Sequence, residues 1–222
     1  MLKIQRSKKD KNIFKLISRT LMSFSLLLLL LLVPISRIKA DPVTNTITST
    51  VNIGTDDGTI TGTSYNNSQN TLSIGKSGTT ALTAFTTFKN LTIPVGATIT
   101  DARLTLKITS GGPNSANVLI KAQNKGNATA PTNYATYQTA EAQSTTSSVA
   151  WNSLITGNWG TALVSPNIAS VVQEVVSRSD WNSGNALLIF VKDNGSSSYA
   201  SRTVGSANIS DTSLRPQLSV TY

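Results

Sequence analysis

The sequence predicts a mainly β protein, a jelly-roll-like antiparallel β-sandwich with one short amphipathic helix at about residues 166–178. Three observations lead to this fold class. One segment alternates strictly between apolar and polar residues, turn-rich stretches separate it from other strand candidates, and a single segment has helical periodicity. Several strands with one helix are typical of a sandwich in which the helix plugs one end.

The clearest strand candidate covers residues 98–109, where Ala102, Leu104, Leu106 and Ile108 alternate with polar or charged residues. Successive side chains of a strand point to opposite faces, so one face of this strand is predicted to lie in a core. The other predicted strands are residues 45–53, 71–74, 81–88, 116–123, 147–151, 186–192, 200–204 and 216–222. Turns are predicted between them, at Asp57-Gly58, Gly111-Gly112-Pro113 and Asp193-Asn194-Gly195.

The predicted helix begins with Ser165 as its cap and Pro166 as its first residue. Apolar residues then follow at helical spacing, at Ile168, Val171, Val172, Val175 and Val176. Glu174 and Arg178 are predicted to form an ion pair on the other side of this helix. Residues 187–191 are apolar without alternation, which indicates a strand covered on both faces, and we expect this helix to cover one of them.

Residues 1–40 are predicted to be a secretory signal peptide. A basic start leads into an apolar stretch at residues 21–35, and Ala40 is a small residue before a cut at Asp41. The alternative is an uncleaved anchor, because residues 20–36 are uncharged and 17 residues long, against a spanning range of roughly 17–25. Either way, the basic N-terminal side predicts export of residues 41–222, a single domain that is secreted or on the cell surface and meets the membrane only through its N-terminal segment.

The net charge of +9 at first suggests a nucleic-acid partner. However, residues 1–40 carry nine basic residues and one acidic residue, which leaves residues 41–222 nearly neutral. A phosphate-binding surface, and with it a nucleic-acid partner, is therefore not expected.

The chain contains no cysteine and no histidine. This composition excludes disulfides, zinc-thiolate sites and catalytic groups built on a cysteine or histidine. A glycosidase could use two carboxylates, but nothing in the sequence brings Glu141 and Glu174 together. We therefore expect that the protein is not an enzyme, and export without disulfides favours a bacterial source.

Four segments carry a resemblance to known domains. They are a strand–turn–strand FKNLTIPVGATITDARLTL at residues 88–106, a strand TSSVAW at 146–151, a helix-to-strand segment at 165–187 and a closing strand PQLSVTY at 216–222. In this order they resemble the secreted carbohydrate-binding-module-like β-sandwiches that include the DNRLRE-domain group. The resemblance covers roughly residues 51–222 and implies a non-catalytic module at the cell surface. Some relatives in that group bind carbohydrate, so it implies a polysaccharide or cell-surface glycan as partner.

Asp56 and Asp57 are the predicted metal ligands, with calcium as the candidate ion. Related sequences often have acidic residues in the early strand, which Asp56-Asp57 matches, and in the penultimate strand, where residues 199–203 have none. Calcium takes six to eight oxygen ligands, often from several carboxylates. The alternative is a plain turn, because Asp-Asp-Gly is also a common turn sequence.

Tyr134, Tyr137 and Trp159 are the predicted ligand-binding residues. They lie in a polar region, residues 124–161, with little strand pattern, and loops often carry binding residues. The alternative is that these rings only clamp a long loop. Trp151 and Trp181 are instead predicted to be core residues, because each stands beside an apolar strand or helix.

Together these observations predict an exported, non-catalytic surface module that binds carbohydrate. The alternative is a structural or adhesive cell-surface subunit that binds other surface proteins. Exposed edges of threonine-rich strands would favour this second function, because they can add to the sheet of a neighbour.

Overall fold

The computed structural model describes residues 44–222, so the predicted signal peptide lies outside the described residues. The two α-helices of the described part are α1 (Tyr134–Ala142) and α2 (Ala169–Val176). Its strands are β1 (Thr46–Thr50), β2 (Asp57–Thr61), β3 (Ser64–Asn66), β4 (Thr71–Ser77), β5 (Thr80–Leu91), β6 (Asp101–Gly111), β7 (Ala116–Ala122), β8 (Val149–Leu154), β9 (Ala162–Val164), β10 (Asn185–Asp193), β11 (Ser201–Gly205) and β12 (Gln217–Thr221). None of the helices formed by residues 44–222 is long and apolar enough to cross a membrane.

The strands pair antiparallel in one continuous order, β1-β12-β6-β11-β4-β5-β10-β7-β8. Three strands lie outside this order: β9 also pairs with β6, β2 pairs with β5, and β3 pairs with β2. The sheet curls so that its two halves enclose one core, to which Leu104 and Leu218 contribute from one half and Phe88 and Ile189 from the other. The predicted mainly β, jelly-roll-like sandwich is confirmed.

Strict alternation predicts the inner face of β6 correctly. Ala102, Leu104, Leu106 and Ile108 are all fully buried in the main core. Trp151 and Trp181 are buried as predicted, and the indole nitrogen of Trp181 donates to the carbonyl of Ile93 at 3.1 Å. Both tryptophans therefore belong to the core. Each strand predicted from the sequence also has a counterpart in the sheet.

Strand β10 is covered on both faces, but not by the helix that the sequence suggests. Leu187, Ile189 and Val191 face the main core, whereas Leu188 and Phe190 face an outer cluster. Helix α1 covers that outer cluster with Tyr137 and Ala140, its only buried residues. The prediction of a single helix is therefore wrong. The sequence did not reveal α1 because a helix with only two buried residues has no apolar helical pattern.

A polar capping box begins α1 and is the sequence feature that could have revealed the helix. The Asn133 side chain accepts a hydrogen bond from the Thr136 amide at 2.9 Å, and the Thr136 hydroxyl accepts one from the Asn133 amide at 3.0 Å. At the other end, Glu141 forms an ion pair with Lys192 of β10. These contacts fix α1 on the outer face of the sheet.

Helix α2 is shorter than predicted and begins after Ser165 and Pro166. Ser165 continues the pairing of β9 with β6, because its amide donates to the Leu104 carbonyl and its hydroxyl accepts from the Leu104 amide. The N-cap is Ile168, whose side chain cannot cap, and the side-chain oxygen of the preceding Asn167 accepts from the Ala169 amide at 2.9 Å. The buried valines of α2 then close the main core against β6 and β7, which agrees with the predicted plug.

The predicted ion pair between Glu174 and Arg178 is wrong. Glu174 accepts hydrogen bonds from the amides of Thr146 and Ser147, both at 2.8 Å. Burial raises the pKa of Glu174, but these hydrogen bonds have the larger effect and hold the pKa below its usual range. Arg178 pairs with Asp180 at 2.7 Å. Helical spacing could not predict these contacts, because the partners of Glu174 and Arg178 lie outside α2.

Asp57-Gly58, predicted as a turn, is the start of β2. Asp57 pairs with Thr86 and Gly58 with Phe85 on β5. A side chain on Gly58 would lie 2.6 Å from the Phe85 ring, so the glycine permits close packing rather than a turn. The predicted turn at residues 193–195 does follow β10, and Gly195 there has φ +74°.

Candidate functional site

Exposed apolar residues concentrate at one end of the sandwich, where β4, β6 and β8 end and β9 and β11 begin; we call this the Arg202 end. Among residues 44–222, six large hydrophobic side chains are strongly exposed. Three of the six, Ile155, Trp159 and Tyr199, lie in loops at the Arg202 end. Contiguous apolar patches that a fold leaves exposed commonly mark contact surfaces.

Arg202 organises the backbone of this end. Its side chain is fully buried and donates from Nε to the Ile155 carbonyl at 2.8 Å and from Nη1 to the Gly112 carbonyl at 3.0 Å, while Nη2 donates to the Leu154 carbonyl. Burial lowers the pKa of the guanidinium, which still remains charged because its ordinary pKa is so high. One buried cation therefore ties the segment after β8 and the turn after β6 to β11.

Tyr199 is held in an unusual backbone conformation just before β11. Its φ is +60°, a left-handed value that costs a tyrosine about 1–3 kcal/mol. The ring lies beside the Gly78 turn, and the neighbouring Ser198 hydroxyl donates to the Gly78 carbonyl at 3.0 Å. The ring is nevertheless 64% exposed.

Trp159 lies in the loop between β8 and β9 and is 63% exposed. The next residue, Gly160, adopts φ +82° and donates to the Ile108 carbonyl of β6 at 2.8 Å. Thr161 then accepts from the Ile108 amide at 2.9 Å. The loop is thus anchored to β6 by the two residues that follow Trp159.

The other two predicted ligand-binding residues lie elsewhere, on α1. Tyr137 is 6% exposed and meets Phe190 edge-on, with ring centroids 5.8 Å apart. Burial raises the pKa of its hydroxyl to about 12. Tyr134 is half-buried and stacks on Tyr137 at 6.1 Å. The structure therefore separates these two rings from Trp159, and the three do not form one surface.

Tyr199 and Arg202 are residues of the Arg202 end that the sequence analysis did not select. Arg202 shares the inward side of β11 with Val204, and a lone arginine at an inward strand position is the pattern that could have indicated its role. Tyr199 offered no such pattern, because it lies in a loop and its ring neighbours Gly78, which is distant in sequence.

Asp56 and Asp57 lie next to each other but their side chains serve different contacts. Asp56 is buried, and its Oδ1 lies 2.7 Å from Lys89 Nζ. Asp57 is 1% exposed, and its Oδ2 accepts from the Ala207 amide at 2.7 Å while Oδ1 has no hydrogen-bond partner. Burial raises the pKa of Asp57 to about 7; the Ala207 amide lowers it, the Asp56 charge raises it and Arg215 lowers it.

Within residues 44–222, no three His, Cys, Asp or Glu side chains come together as a metal-binding group. Asp56 and Asp57 are two carboxylates, and each already has one oxygen in a contact within the protein. Calcium would need further oxygens from backbone, hydroxyl groups or water. Calcium binding at Asp56 and Asp57 stays a prediction.

A polar groove of about 350 Å³ lies where β1 meets the last residues of β5. Residues 47–53, Asp56, Thr87 and residues 89–92 line it; we call it the β1–β5 groove. The two strands are linked across the groove by the Ser49 hydroxyl of β1, which donates to the Lys89 carbonyl of β5 at 3.4 Å. None of its lining residues belongs to the loops of the Arg202 end.

No protein-family model and no curated protein sequence matches this chain. The likeness to carbohydrate-binding-module-like sandwiches of the DNRLRE-domain type therefore rests on the four sequence segments described above.

Proposed function

We propose that the protein is an exported, non-catalytic module that binds carbohydrate through the Arg202 end. One observation carries this proposal: Trp159 and Tyr199 are exposed aromatic side chains on anchored loops at the same end of the sandwich. In contrast, Trp151, Trp181 and Tyr137 are buried. Rigid, exposed rings lose little conformational freedom on binding, and their flat faces suit the C–H surface of a sugar ring.

The charge distribution supports an uncharged glycan as the partner. Almost all of the net charge of +9 comes from residues 1–40, which the proposal assigns to a secretory signal peptide or an uncleaved anchor. The remaining, nearly neutral part gives no long-range attraction to anionic polymers. A polysaccharide or cell-surface glycan fits this surface better than a nucleic acid.

The positions of the two glutamates support a non-catalytic function. Glu141 pairs with Lys192 on the outer face of the sheet. The Glu174 carboxylate accepts hydrogen bonds from the amides of Thr146 and Ser147. Each carboxylate thus has a structural contact of its own, whereas a glycosidase places two carboxyl groups on either side of one glycosidic bond.

Replacement of Trp159 by alanine is expected to weaken glycan binding about tenfold or more, because loss of a central aromatic contact costs well over 1 kcal/mol at a binding surface. The measurement is a glycan array followed by calorimetry on the glycan that binds. Val95→Ala is the matched control, since Val95 is 66% exposed but lies between β5 and β6, away from the Arg202 end. Absence of binding by wild-type protein, with folding confirmed by circular dichroism, would refute the proposed function.

A second candidate is a structural or adhesive subunit that binds other surface proteins. The observation in its favour is that β1 and β8 end the strand order, so each has an edge without a paired strand within residues 44–222. Such edges can accept a strand from a neighbour. Sedimentation at rising protein concentration tests this function: assembly supports it, and a monomer throughout argues against it.

A further inference from the structure

Thr87 has a buried hydroxyl that the protein leaves unused. The residue lines the β1–β5 groove and is 1% exposed, yet its Oγ1 has no hydrogen-bond partner in the described chain. Buried hydroxyl groups are almost always paired, because an unpaired one loses its bonds to water without replacement. Because Thr87 lines the groove, a rotation of its side chain would let a ligand hydroxyl there supply the missing bond.

The ion pair of Asp56 and Lys89 lines the same groove. An ionised carboxylate only accepts hydrogen bonds and an ammonium group only donates them, and here the two lie 2.7 Å apart. Two adjacent hydroxyl groups of a sugar can donate to the first and accept from the second. Because the two charges cancel, the pair offers no net attraction to an anion.

Asparagine side chains complete the polar lining. Asn52 and Asn90 both line the groove, and an amide can donate as well as accept. Asn90 has φ +56°, a left-handed value at the point where the pairing of β5 with β10 shifts by a bulge. Bulges commonly redirect a side chain beside a functional site.

The ion pair also borders a second groove of about 410 Å³, on the side of residues 128–132. Both grooves have volumes within the range of ordinary ligand sites, about 300–1,000 Å³. Because the two share Asp56 and Lys89, the surface can accommodate more than one sugar unit.

We propose that the β1–β5 groove is a second binding site, for an uncharged saccharide that presents adjacent hydroxyl groups to Thr87, Asp56 and Lys89. This inference rests on the proposed carbohydrate-binding function and adds a site distinct from Trp159 and Tyr199. It assigns a hydrogen-bonding role to the groove and a stacking role to the Arg202 end.

The test uses amide NMR spectra of the full chain with methyl glucoside, methyl galactoside and methyl mannoside at millimolar concentration. We expect one of these sugars to shift the amides of Lys89 and Asn90. Thr87→Val, which removes only the hydroxyl, should weaken that binding about threefold to tenfold without lowering the melting temperature, because the hydroxyl has no partner to lose.

Thr86→Val is the matched control. Thr86 is also fully buried with an unpartnered hydroxyl, but it alternates with Ala84 and Phe88, which face the main core. Equal binding by wild type and Thr86→Val, with weaker binding by Thr87→Val, supports the groove site. If Thr87→Val binds the sugar as tightly as Thr86→Val does, the groove site is overturned.

The same spectra separate this inference from the proposed function, because the indole N–H of Trp159 gives its own signal. Shifts at Trp159 without shifts at Lys89 and Asn90 would keep the proposed function and overturn the groove site. No shift at either place, together with an empty glycan array, would overturn both.

Discussion

Replacement of Arg202 by methionine is expected to lower the free energy of unfolding by about 3–4 kcal/mol. The guanidinium satisfies the carbonyl groups of Leu154, Ile155 and Gly112 in a site closed to solvent. Methionine fills a similar volume but donates no hydrogen bond, so these carbonyl groups lose their partner. Urea denaturation followed by circular dichroism measures the difference.

Arg178→Met is the control for this prediction. Arg178 pairs with Asp180 near the surface, where an ion pair contributes about 0–1 kcal/mol, so its loss should change stability little. Arg202→Lys should fall between wild type and Arg202→Met, because an ammonium group donates hydrogen bonds but lacks the planar fork of a guanidinium. Equal stability of Arg202→Met and Arg178→Met would contradict the organising role of Arg202.

The stability of the protein is expected to fall as pH rises from about 4 to 8 because of Asp57. Its pKa is about 7 in the folded protein, against 3.8 for an unperturbed aspartate. A raised folded pKa means that the fold favours the protonated carboxyl. The resulting stabilisation is fully present below the unfolded pKa and is lost as pH rises through about 7.

The size of this effect is up to about 4 kcal/mol, at 1.36 kcal/mol for each unit of pKa difference. Asp57→Asn should remove most of the pH dependence, because an amide is neutral throughout and can still accept from the Ala207 amide. The variant should therefore be more stable than wild type at pH 8. Thermal unfolding of both proteins from pH 4 to pH 8 measures this.

Asp101→Asn is the control for the pH series. Asp101 is a half-exposed strand residue paired with Arg103, so its replacement should leave the decline with pH in place. If Asp57→Asn and wild type lose stability in parallel above pH 5, another group causes the decline and the burial of an ionisable Asp57 is not its origin.

The sequence predicts those elements whose environment is set by their own pattern. The alternation of β6 reflects one buried and one solvent-facing side, and it can be seen without knowing the partner strands. Helix α1 could not be found in this way, since only Tyr137 and Ala140 are buried and the surface that they cover is formed by β5 and β10. The start of α2 was misplaced because Ser165 extends the pairing with β6 instead of capping.

The candidate site depends even more on contacts between distant residues. Trp159 could be selected from sequence because it stands in a polar, strand-poor region. Tyr137 stands in the same region but is buried against Phe85 and Phe190, which lie far away in sequence. Arg202 binds carbonyl groups 47, 48 and 90 residues away, and no local pattern predicts such partners.

Carbohydrate binding is tested most directly by the melting temperature of the protein with a panel of soluble polysaccharides, and with calcium or a chelator in parallel. A ligand that binds only the folded state must raise the melting temperature by mass action. The structure leads us to expect a rise with at least one uncharged polysaccharide, reduced in Trp159→Ala and retained in Val95→Ala. A melting temperature that no polysaccharide changes would contradict a carbohydrate-binding function.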